Sequence, residues 1–103
     1  MVIYSVERMY YDKDDYKLKG FEKSNTKGKM YDALLEDKKT KKIVRVPFGD
    51  NSMGNYGDKT GLNLYPKLIH GDEKRRKAFQ DRFKGFLKKG FYSPGFFSYY
   101  ILW

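Results

Sequence analysis

Residues 70–103 read HGDEKRRKAFQDRFKGFLKKG and then FYSPGFFSYYILW. The two halves have opposite characters. In the first, Asp72 is a good N-cap and Glu73 sits in the first turn, so a helix is expected to begin after Asp72. Phe79, Phe83, Phe86 and Leu87 recur at helical spacing and make one apolar stripe. That stripe is expected to face a sheet, with Lys77, Lys84 and Lys88 toward solvent. Gly90 supplies a C′ stop, Pro94 follows it, and Lys88 and Lys89 suit the negative end of the helix dipole. In the second half, residues 96–103 carry no charge and are rich in aromatic residues. Their β-propensity predicts a final strand. Left bare, such an edge would template aggregation. Phe96, Phe97, Tyr100, Leu102 and Trp103 are therefore expected in the core or at an interface.

Working outward, residues 42–48 (KIVRVPF) have the β-branched content of a strand. Residues 29–36 (KMYDALLE) precede them across the polar connector DKKTK, short enough for a hairpin. Pro47 cannot donate to a ladder, so its strand must end there or lie at a sheet edge. Residues 2–10 alternate loosely and suggest a short strand. Residues 11–28 are polar and end in Ser24, Asn25, Thr26 and Gly28, which is loop chemistry. Asp12, Asp14 and Asp15 resemble part of a calcium loop but lack its glycine and closing glutamate; a solvated acidic loop is expected. Residues 49–61 hold four glycines in a spacing that matches neither the dinucleotide fingerprint nor the phosphate-binding loop. The expected fold is α+β: a small antiparallel sheet, made of the hairpin and a C-terminal strand, packed on one amphipathic helix. Residues 1–27 would form an extended N-terminal arm and residues 28–103 a small basic domain.

The totals bound the function. A chain of 103 residues with 18% aromatic content is expected to fold as one domain. There is no cysteine and a single histidine, so disulfides, thiolate metal sites and multi-histidine sites within one chain are excluded. Residues 1–6 are too short and lack the basic leader of a signal peptide. No apolar run reaches membrane-spanning length, and no membrane partner is expected. The net charge of +9 favours an anionic partner.

Lys38, Lys39, Lys41 and Lys42 cluster at the hairpin turn, and Lys74, Arg75, Arg76 and Lys77 at the helix start. The latter oppose the helix dipole, so helix stability alone does not account for them. They point to an external anion, or to the carboxylates Asp50 and Asp58. Lys38, Lys39, Lys41, Lys42, Lys74, Arg75 and Arg76 are the expected partner or anion contacts. His70 lies near Asp72 and Arg75 in sequence, but general acid–base work needs a second positioned partner and a pocket. Asp50, Asp58, His70, Asp72 and Arg82 are instead expected to form a structural charge network that fixes the glycine-rich loop to the helix. No catalytic residue, cofactor, metal site or small-molecule substrate is expected.

Several of these residues also form an ordered series. It runs Gly28-Lys29-Met30-Tyr31-Asp32-Ala33, Phe48-Gly49-Asp50, Tyr56 with Asp58 and Thr60, and His70-x-Asp72 with Arg75, Arg76, Phe79 and Arg82. It closes on residues 95–103, GFFSYYILW. The series resembles an uncharacterised family of small basic proteins of large double-stranded DNA viruses and tailed phages, over about residues 28–103. Here Phe83 stands where the family has its second histidine and Phe97 where it has a tryptophan. Residues 61–69 and 84–90 look inserted. The resemblance implies a viral source and a place in the virion, the protein being made in the host cytoplasm. On that basis the expected function is a minor capsid, cement or linker component. It would contact the major capsid protein or portal and tail proteins, and packaged DNA as a further partner. The alternative expectation is a basic, genome-associated nucleic-acid-binding protein that sets these cations on phosphates.

Overall fold

The computed structural model describes residues 11–87 and 90–103, residue 86 by its backbone alone. The fold is α+β, with small antiparallel sheets and short helices. Strand β1 (Tyr11–Asp12) leads to β2 (Tyr16–Lys23), β3 (Lys29–Asp37) and β4 (Ile43–Asp50). A 3₁₀ turn (Pro66–Leu68) precedes helix α1 (Glu73–Phe83), which tightens into a second 3₁₀ turn (Lys84–Phe86). Strand β5 (Phe91–Tyr92) then leads into helix α2 (Pro94–Phe97), continued by a π-helical turn (Ser98–Leu102).

The main sheet has the order β2-β3-β4, all antiparallel. The predicted hairpin is β3 and β4, with Leu35 opposite Val44 and Tyr31 opposite Phe48. Pro47 lies in β4, an edge strand of this sheet. There its missing N–H costs no ladder bond when it faces outward.

Residues 11–28 are not the loop expected, and residues 11–27 are not an arm separate from the rest. β2 pairs with β3 along its length, and β1 pairs with β5. Their lysines and glutamate conceal an alternation in which Tyr16, Leu18 and Phe21 pack against the core. A register shift between Leu18 and Gly20 switches the alternation partway along. The strand expected over residues 2–10 lies outside the described residues.

Tyr31, Ala33 and Leu35 of β3 and Val46 and Phe48 of β4 are buried. Met30 and Tyr31 are adjacent, and both are fully buried. Side chains alternate between faces along a strand, so the sheet is covered on both faces at this end. At the opposite face, Asp32 is buried beneath Arg45, whose Nε donates to it at 2.8 Å while Nη2 reaches Glu22 at 2.9 Å.

The element that covers the sheet is the aromatic tail, and it is helical rather than the expected strand. Ser93 caps it, its Oγ accepting from the Phe96 N–H at 3.1 Å, and Pro94 occupies the first turn. Phe97 and Leu102 are its buried residues. Five residues along an α-helix lie about 140° apart around the axis at 3.6 residues per turn. The i→i+5 winding over 98–102 brings the two nearer to one face. Phe97 packs edge-on to Phe21 (6.0 Å), near Phe48 (5.4 Å) and flat on Tyr92 (5.5 Å).

Helix α1 begins as predicted. Asp72 caps it through bonds from the Lys74 and Arg75 N–H groups. It ends at Phe83 rather than running on toward Gly90, with Gly85 lowering helix propensity just beyond. It buries no residue and is not the helix on which the sheet packs. Phe79 meets Trp103, and Phe83 is 36% exposed. Neither residue is buried against the sheet. The Phe86 side chain and Lys88 and Lys89 lie outside the description.

Candidate functional site

Helix α1 stands off the sheet, and a half-open groove of about 900 Å³ runs between it, the 94–102 helix and the loop after β4. One wall is a run of rings. Trp103 stacks on Phe79 with centroids 4.4 Å apart and planes 5° from parallel. Phe79 in turn contacts Phe83 at 4.5 Å, and His70 closes on Trp103 at 5.2 Å. Trp103 is held in place from α1: its main-chain oxygen accepts from Arg76 Nε (3.1 Å) and Gln80 Nε2 (3.2 Å). Leu87, Pro94 and Met53 complete the apolar lining, and Met53 is largely exposed.

The loop that forms the groove's other side is pinned at two points to the segment that precedes α1. Asn55 N–H donates to the Leu68 carbonyl (2.7 Å), and His70 N–H donates to the Asn55 carbonyl (2.9 Å). The buried Asn55 amide also donates to Met30 Sδ at 3.0 Å. The backbone must come close here. A Cβ on Gly54 would sit 3.1 Å from His70 Cδ2 and 3.3 Å from the Leu68 carbonyl oxygen. Farther along, Tyr31 anchors the chain from the core. Its hydroxyl donates to Asp58 Oδ2 at 2.5 Å and accepts from the Leu64 N–H at 3.0 Å. Burial, then the Asp58 bond, raises the Tyr31 pKa.

The groove carries charge at its rim. Lys29, Arg75 and Arg82 line it, with Asp50 as the rim's carboxylate. The hydroxyl and backbone N–H of Ser52 hold the Asp50 pKa below its usual range, so it is ionised. Arg75 reaches Asp72 only at 3.9 Å. Arg82 lies 5.6 Å over the Phe83 ring and has no carboxylate partner among the described residues.

The expected charge network is not assembled. Asp58 is occupied by Tyr31 and Thr60, Asp50 by Ser52, and Asp72 by the helix start. His70 Nδ1 accepts from the Asp72 backbone N–H at 2.9 Å, while its Nε2 is buried without a hydrogen-bond partner. Apart from the Tyr31 bond to Asp58, these aspartates are satisfied by neighbours two or three residues away, as turn-forming Asp residues commonly are.

The expected anion contacts also divide. Arg76 is committed internally, to Glu73 (3.4 Å), the Trp103 oxygen and the Tyr56 ring (4.9 Å). Tyr56 donates in turn to Glu73. Arg75 lies on the groove, and Lys74 is exposed on the first turn of α1. Lys38, Lys39, Lys41 and Lys42 are exposed at the hairpin tip, where Asp37 accepts from the backbone N–H of Lys39 and Thr40. The tip lies at the far end of β3 from Lys29. At about 3.3 Å per residue that is about 26 Å along the strand, so the two cation clusters do not share one site.

Of the tail residues, Phe97 and Leu102 are core, Phe96 and Trp103 are half-buried, and Tyr100 is exposed. Gly54, Asn55, Met53 and Ser93 also shape the groove, and the sequence reading missed them. Only Ser93 carried a legible signal, a serine directly before Pro94. Among the described residues no group of His, Asp or Glu is arranged to hold a metal ion, and no helix is long and apolar enough to cross a membrane. Comparison with known proteins finds no matching family model, no similar curated protein and no similar solved structure.

Proposed function

We propose that this chain is a virion structural protein, a minor capsid, cement or linker component of a double-stranded DNA virus or phage that binds neighbouring virion proteins. The observation that carries the reading is the groove. Helix α1 turns Ala78, Phe79 and Phe83 toward a half-open cleft instead of burying them on the sheet. An aromatic, partly open surface of this kind is the composition of a protein contact. The order of residues shared with the viral family supplies the setting, and the net charge suits an acidic neighbour.

Nucleic acid is the weaker reading. Its cations are split between the hairpin tip and the groove, and Arg76 is already engaged. Contact with packaged DNA through the hairpin tip is retained as a secondary role. No catalytic role is proposed.

Mass spectrometry of purified particles of the encoding virus tests the reading. The protein should copurify with particles in fixed ratio to the major capsid protein and persist through high-salt washing. Its absence from particles would overturn the proposal.

A further inference from the structure

We infer that the groove between α1 and the 94–102 helix is a docking site for an acidic segment of a partner protein, one that alternates carboxylates with aromatic or large aliphatic anchors. The inference rests on the structural reading above and names the chemistry of the partner. Charge complementarity chooses the occupant. Three rim cations, Lys29, Arg75 and Arg82, face a lining whose interior is apolar; the rim's carboxylate, Asp50, lies opposite Lys29 on the neighbouring strand and offsets it, which leaves the two arginines in excess. The side chain of Arg75 is 64% exposed and its nearest carboxylate is 3.9 Å away; Arg82 has only a ring beneath it among the described residues. An apolar ligand without charge would leave Arg82 without a carboxylate and Arg75 with only its long contact to Asp72, and a basic one would be repelled. A segment with both features fills the ring-lined floor and pairs the rim.

The dimensions fit a chain segment. The 11 residues of α1 make a wall about 16 Å long at 1.5 Å per residue. An extended peptide spans that length with about five residues. The walls are already fixed: Trp103 is held by two bonds from α1, and the Gly54–Asn55 backbone is bonded to Leu68 and His70. Little ordering of the site is needed on binding.

Trp103 is the chain's single tryptophan and lies in the groove wall, so its emission reports occupancy. The test titrates the full chain with a synthetic peptide of about a dozen residues in which Phe and Leu alternate with Asp and Glu. The expected result is a saturable change in Trp103 emission and a matching rise in anisotropy of the labelled peptide, weakening with salt. Replacing the peptide's acids by Lys should abolish binding. The double variant Arg75→Glu, Arg82→Glu should weaken binding by about tenfold or more. Ala78→Glu, a strong helix former placed in the exposed groove wall, should do the same without lowering the melting temperature.

No saturable change, equal binding of the lysine peptide, or undiminished affinity in the two folded variants would each overturn the inference. So would displacement of the peptide by short duplex DNA with greater affinity, which would make the groove a nucleic-acid surface. A protein found in particles whose groove refuses the peptide would retain its structural role and lose only this assignment.

Discussion

Two phenylalanines that read alike in the sequence should differ severalfold in cost when truncated. Phe97 is fully buried, with the rings of Phe21, Phe48, Tyr92 and Phe96 at 5.2 to 6.0 Å. Its transfer out of water contributes up to about 3 kcal/mol. The cavity left by Phe97→Ala is walled by the sheet and cannot collapse freely, which brings the loss to about 4 kcal/mol. Phe83 is 36% exposed and borders an open groove. Water enters the space that Phe83→Ala creates, so only part of the transfer energy is lost, about 1 kcal/mol. A domain of this size typically has about 5–15 kcal/mol in total. Phe97→Ala should therefore lower the melting temperature by about 15–30 °C, and Phe83→Ala by about 4–8 °C. Urea denaturation followed by Trp103 emission measures both on one scale, provided the m-values agree. Costs equal within about 0.5 kcal/mol, or a larger loss at Phe83, would refute the placement of the tail helix as the sheet's cover.

Tyr31→Phe removes the bonds to Asp58 and from Leu64 and should cost about 1–2 kcal/mol, read from urea midpoints at neutral pH. Because the folded pKa of Tyr31 is raised above 10.0, its contribution is complete below that pH and declines as the pH rises through the folded value. A midpoint-versus-pH series extended to about pH 11 should accordingly flatten in the variant, unless Tyr31 titrates normally. Gly49→Ala meets Leu102 Cδ1 at 2.9 Å and Met30 Cβ at 3.1 Å at a φ of +80°. Gly28→Ala, at +85°, meets open space. Thermal melts should show a cost of about 1 kcal/mol at Gly28 and a distinctly larger one at Gly49, and equal costs would argue against the close approach of Leu102. Asp72→Ala should lower stability by about 1 kcal/mol through loss of the helix cap, with Asp72→Asn nearly neutral; calorimetry on the pair distinguishes the cap from a charge effect.

The sequence by itself determined the features that rest on neighbours close along the chain. The β3–β4 hairpin follows from two apolar runs and a five-residue polar connector. The α1 start follows from Asp72, whose carboxylate finds its partners within three residues. Pro47 lies in an edge strand because it has no N–H to give. The α+β class follows from such local signals together. What only the tertiary structure decided depends on which faces meet. β2 was hidden because a strand with one partly buried face and a register shift looks polar in sequence; its pairing with β3 supplies the missing bonds. The tail's aromatic content favoured a strand, and packing overrode it. Ser93 and Pro94 start a helix, and the π turn sets Phe97 and Leu102 against the sheet, where burial outweighs intrinsic propensity. Once the tail took that place, α1 had no sheet left to cover. Its phenylalanines and Trp103 became the wall of a groove, and its cations the rim. Residues dozens of positions apart share that site, so no spacing along the chain encodes it.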